Sequence, residues 1–163
     1  MRRGWRAAAA LALATASGVG ASAFGATTPN LLAVLAGPIA SARAHGVPVL
    51  LPARIAAHAP HLYGGGGATA AGYDIRLAAA PGCRDAACFV AEFTAAASRL
   101  VRGTPVALAH GLRGGYLRSR CGASCDPATI AWREYGHGYA IAYMGSRAQM
   151  VALADAAIDG GPR

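Results

Sequence analysis

The sequence predicts an α+β fold: an antiparallel β-meander sheet of about six strands, a C-terminal α-helix packed on one face of it, and an N-terminal signal helix ahead of both. Three observations carry this expectation. Between residues 72 and 143 apolar and polar side chains alternate in short runs parted by glycine turns, the period of half-buried strands. After Gly145 the apolar spacing changes to that of a helix. The chain also opens with a basic cluster followed by a long uncharged apolar run.

At the N-terminus, Met1-Arg2-Arg3-Gly4-Trp5-Arg6 precedes a stretch from Ala7 to Ala42 with no charged side chain, the pattern of a secretory signal. Small-residue cleavage sites lie at Ala21-Ser22-Ala23 and Ala42-Arg43-Ala44. The second is preferred here, because Leu31 to Ala40 is the more hydrophobic run and folded-domain signals begin only at Val47-Pro48-Val49-Leu50-Leu51-Pro52. The expected organisation is therefore a signal segment over 1–44 (alternative cleavage after 23), an extended and Gly-rich segment over 45–71, and the α+β domain over 72–163. An uncleaved anchor is the alternative, although Ala7 to Gly25 is richer in Ala, Ser, Thr and Gly than a membrane span usually is.

Within 45–71, four consecutive glycines at 64–67 read as a loop. Tyr73, Ile75 and Leu77 then alternate with Asp74 and Arg76 in a first strand, and Phe89, Ala91 and Phe93 mark a second. Thr104 to His110 is a third, with Gly111 to Gly115 as a turn into Tyr116-Leu117-Arg118. Ala128 to Arg133 and Tyr139 to Tyr143, parted by Gly136-His137-Gly138, form the clearest hairpin, with Ile130, Trp132, Tyr139, Ile141 and Tyr143 on the core face. Ser146-Arg147-Ala148-Gln149 is a capping box opening a helix, and Gly160-Gly161-Pro162 closes it.

Four cysteines in an exported chain read as a disulfide framework. Three pairings are possible, and Cys83 with Cys88 and Cys121 with Cys125 is favoured, because each pair lies in a turn-rich stretch that brings its thiols together cheaply. Such short loops give about 2 kcal/mol each in the chain-entropy expression, so they shape turns more than they hold the domain closed. A four-thiolate zinc site is the alternative.

The formal charge is +8, and every basic residue is arginine. Removing residues 1–44 takes four arginines with it and leaves eleven against seven acids, or +4. With no arginine run and an extracytoplasmic address, nucleic acid is not an expected partner. The densest basic patch is Arg113, Arg118 and Arg120 with Tyr116, a candidate anion-binding rim. His58, His61, His110 and His137 sit in loops or turns, and no catalytic constellation, metal site or cofactor motif converges on them.

The strand with Trp132, the Gly turn, the strand Tyr139 to Tyr143 and the capped helix carrying Leu153-Ala154 resemble the end of uncharacterised exported bacterial domains, some found beyond the membrane span of anti-sigma-like proteins. The resemblance covers about 35 residues and implies the same strand, turn, strand and helix order. Taken together, the residues lead us to expect a periplasmic or secreted, non-enzymatic binding domain whose partner is an envelope protein or an anionic polymer, with membrane contact only through an uncleaved N-terminus. A small hydrolase or metal-dependent enzyme around His110 and the Cys121 to Cys125 loop, and a membrane-tethered sensor domain, are the rival readings.

Overall fold

The computed structural model describes residues 28–163. The expected signal helix and the alternative cleavage site after Ala23 lie outside those residues. Alternation produces strands where it was expected: β2 (Gly72–Ala78) buries Tyr73, Ile75 and Leu77, and β3 (Phe89–Ala96) buries Ala91, Phe93 and Ala95. Ahead of them, β1 (Tyr63–Thr69) pairs antiparallel with β2 over its whole length. The four glycines are thus an edge strand and not a loop. The neighbouring chain explains two of them: a Cβ on Gly64 would lie 2.6 Å from Leu35 Cδ2 and 2.7 Å from the Val34 oxygen of the helical segment, and one on Gly66 would overlap the Asp74 carbonyl oxygen of β2.

Further along come β4 (Thr104–Ala107), β5 (Arg113–Leu117), the two-residue strands β6 (Arg120–Cys121) and β7 (Cys125–Asp126), β8 (Ala128–Glu134) and β9 (His137–Tyr143). β6 and β7 form a small hairpin of their own, and the other seven make one antiparallel sheet in the order β1-β2-β3-β9-β8-β5-β4. The expected meander holds only for β1 to β3, because β9 rather than β4 pairs with β3. Residues 97–103 therefore cross the sheet from β3 to its far edge. Glycine makes room for this strap: a Cβ on Gly138 would lie 2.7 Å from Arg99, and one on Gly115 would overlap the Arg102 carbonyl oxygen. Arg133 holds the strap down, donating to the carbonyls of Arg99 (2.9 Å) and Ala97 (3.3 Å).

The opposite, inner face carries the core. Register places Ile75, Phe93, Ile141 and Ile130 in one row across four strands, and Tyr139 beside Trp132 in the next. All six are at most 1 % exposed. Three helices and an extended segment cover this face. α1 (Leu31–Val34) and α2 (Ala36–Ala44) bury Leu31, Leu35, Ile39 and Ala42. The boundary expected at residue 44 is thus no boundary in the fold, because residues 31–44 contribute to the same core as the sheet. Val47 to Ile55 follow as an extended run, held by tyrosine phenols: Tyr139 donates to the Pro48 carbonyl (3.1 Å), Tyr73 to Leu50 (3.3 Å) and Tyr143 to Ala56 (2.8 Å).

α3 (Arg147–Asp159) starts with the expected capping box, Ser146 Oγ accepting from Gln149 N and Gln149 Oε1 from Ser146 N, and buries Met150, Ala154, Ala157 and Ile158. It lies on the β8–β9 end of the inner face. Among the described residues no helix is long and apolar enough to cross a membrane.

Candidate functional site

Two regions of the outer face are shaped for contact. The first is a cleft of about 570 Å³ at the β1 end. Antiparallel register sets Gly65 opposite Arg76 and Gly67 opposite Asp74, so the outward side of β1 is bare backbone beside the charged side of β2. Neither glycine has a positive φ and neither Cβ position meets an atom within 4 Å, so packing and backbone conformation do not demand glycine there. The wall is the 80–84 segment, and Tyr63, 39 % exposed, stands at one end.

The Cys83–Cys88 disulfide closes the loop that carries this wall. Two further bonds fix it: Ala79 N donates to the Cys88 carbonyl (2.9 Å), and Arg76 Nη1 donates to the Arg84 carbonyl (3.1 Å). The other arm of Arg76 makes an ion pair with Glu92 at 3.1 Å. Asp74 next to this pair has its carboxyl held above the usual carboxylate range by partial burial first and by Glu92 second, with Arg76 and Arg99 acting against both.

The second region is the strap and the end of β5. Leu100 (66 % exposed), Val101 (37 %) and Leu117 (46 %) are among the few large apolar side chains open to solvent. A Cβ on Gly115 would sit 3.1 Å from Val101 Cγ1 and one on Gly103 3.1 Å from Leu117 Cδ2, which puts both side chains over the outer face of β5. Arg102, next to Val101, and Arg118 and Arg120, which follow Leu117, are exposed and make no ion pair among the described residues.

The basic patch expected from sequence is thereby divided. Arg118 and Arg120 follow the end of β5 beside this apolar surface, whereas Arg113 begins β5, at the opposite end of the strand. Tyr116 pairs with Ile130 and shares the inner face, half-buried against the core, and an odd offset places Arg113 on the other face. Arg102, which joins the group in space, was missed because it is sixteen residues before Arg118 and only the strap brings it near β5.

All four cysteines are in disulfides, Cys83–Cys88 and Cys121–Cys125, which is the favoured pairing and leaves no thiolate for zinc. His110, in a turn with φ 55°, has Nε2 3.1 Å from Asp159 Oδ1, while the neighbouring Ala109 N donates to Asp155 Oδ1 at 2.7 Å. These contacts dock the turn on α3. His137 Nδ1 lies 3.0 Å from the Tyr135 carbonyl, and His58 and His61 are exposed. Among the described residues no three of His, Cys, Asp and Glu gather as metal ligands would.

The cleft residues Asp74 and Arg76, and Glu92 paired with Arg76, were readable as the polar side of two strands, but the meeting of the first two with a glycine strand was not. Comparison with family models, curated proteins and solved structures finds no match. The chain is a small α+β domain with two disulfides, which fit an oxidising, non-cytoplasmic compartment.

Proposed function

We propose that this chain is an exported, non-enzymatic binding domain of the periplasm or cell exterior that docks an envelope protein through the strap and the end of β5. The observation that carries the reading is the exposed apolar side chains Leu100, Val101 and Leu117, with the exposed Arg102 next to Val101 and the exposed Arg118 and Arg120 directly after Leu117. An anionic polymer would use the arginines and gain nothing from the leucines. Apolar side chains beside arginines are the composition of a protein interface, with an acidic edge expected on the partner. Export is supported by the basic and apolar N-terminal pattern and by the disulfides. Processing after Ala23 rather than Ala44 fits this reading, since it leaves Leu31, Leu35, Ile39 and Ala42 in the core.

A photo-crosslinking residue at position 117, introduced in an exporting bacterial host, tests the proposal. The expected product is one adduct of discrete mass, lost when Arg102, Arg118 and Arg120 are together changed to Glu and weakened by Leu100→Ser. A polydisperse adduct that survives Leu100→Ser would make the partner a polymer, and no adduct at all would end the proposed docking role of this surface.

A further inference from the structure

The cleft at the other end of the outer face lies apart from the strap surface and is not used by it. Its volume, about 570 Å³, is that of a small-ligand site, and the charged residues of its lining are Asp74, Arg76 and Arg84. Charge excludes two classes of ligand. The Arg76 guanidinium is already neutralised by Glu92 at 3.1 Å and occupied by the Arg84 carbonyl, which leaves Asp74 and the Arg84 side chain as the charged groups of the lining that make no ion pair among the described residues. They have opposite signs. An anion meets Asp74 and a cation meets Arg84, so neither finds a site of one sign. A neutral ligand rich in hydroxyls finds both an acceptor and a donor.

Shape points the same way. Gly65 and Gly67 give a flat floor of exposed backbone with no side chain above it, although any small side chain would fit the protein there. Tyr63 offers a ring, partly open to solvent, at one end of that floor. An aromatic ring covers the C–H face of a sugar while planar carboxylate and guanidinium groups bond to its hydroxyl pairs, and charged partners make those bonds strong. A peptide strand added to the β1 edge would use the backbone of β1 but would leave Tyr63, Asp74 and Arg84 without a role. We propose that the β1–β2 cleft binds a neutral oligosaccharide, with Tyr63 as the stacking platform, Asp74 as acceptor, Arg84 as donor and Gly65–Gly67 as the floor.

The test is titration of the oxidised, ¹⁵N-labelled protein with chitohexaose, cellohexaose and maltohexaose, and separately with a neutral octapeptide, each to about 10 mM, a range that detects millimolar affinity. The expected result is saturable movement of the Gly65 and Gly67 amide signals with at least one hexaose. Tyr63→Ala and the pair Gly65→Leu with Gly67→Leu, which fills the floor from the solvent side, each weaken that binding at least tenfold while the melting temperature shows both variants folded. Movement caused by the octapeptide alone, no movement with any hexaose, or unchanged affinity in the filled-floor variant would each overturn the proposal.

Discussion

On the inner face of the sheet Ile130, Ile141, Phe93 and Ile75 stand side by side, closed from solvent, whereas the outward positions of the same strands are held by Ala131, Ala140, Thr94 and Asp74. The large buried side chains of these strands lie on the first face, and at about 25 cal/mol per Å² of apolar area removed from water they are the main source of stability. The outer face holds small residues for two separate reasons. At Gly138 and Gly115 the strap passes so close that a Cβ would strike backbone, and at Gly65 and Gly67 nothing lies overhead. One residue type thus serves close packing at one end of the sheet and open space at the other.

The largest effect expected from this contrast is on the inner face. Trp132 is fully buried and stacks on Tyr139 at 5.6 Å, and its indole N–H has no partner among the described residues. Its contribution is therefore packing alone. Trp132→Ala should lower unfolding stability by about 3–5 kcal/mol, while Trp132→Phe, which keeps a ring against Tyr139, should lose about 1 kcal/mol; urea titration of both variants measures it, and equal losses would show that ring packing is not the source.

A smaller effect divides the outer face in two. Gly115→Ala forces the Arg102 backbone away and should cost about 1–3 kcal/mol. Gly65→Ala, with no neighbour to strike, should be neutral or stabilising by up to about 1 kcal/mol, since alanine loses less backbone entropy in a strand. The same sign for both substitutions in paired urea titrations would break the distinction between crossed and open glycines.

The smallest effect is electrostatic. Because the Asp74 carboxyl is raised above its ordinary value of 3.8, the folded state holds its proton more tightly than the unfolded chain does. Stability should accordingly fall as pH rises from the ordinary carboxylate value through the raised one, and remain lower above it. Asp74→Asn should flatten that part of the stability profile; an unchanged decline in the variant would assign it to another acid.

What the residues disclosed in advance follows the same division. β2, β3, β8 and β9 were legible because large apolar residues recur at their inner positions and small or polar ones at their outer positions, and α3 because Ser146 and Gln149 form a cap that needs no tertiary partner. β1 was not, since four glycines carry no alternation and become a strand only through pairing with β2 under a close helix. Strand order was hidden as well: period two tells which face a side chain takes but not which edge it joins. Leu31 to Ala44 read as part of a signal because the uncharged run of Leu, Ala and Ile up to Ala42 has the same composition in a buried helix as in an export sequence. Within the site, Arg113 and Tyr116 are close in sequence yet on opposite faces, and Arg102 is distant in sequence yet close in space.

The seam between β3 and β9 has a consequence for how the chain is assembled. β1 to β3 can zip together as soon as residue 96 is available, and β4 with β5 soon after, yet the two blocks remain unjoined until His137 to Tyr143 arrive to fill the place between them. Through that interval the edge of β3, with Phe93 and Ala95 beside it, is an open template for pairing with other chains. Completion of the sheet is thus a late event with long loop closure, slow by the rule that links sequence separation to folding rate. A chain of this topology is best kept unfolded until its last strand is present, as translocation through a membrane channel would keep it.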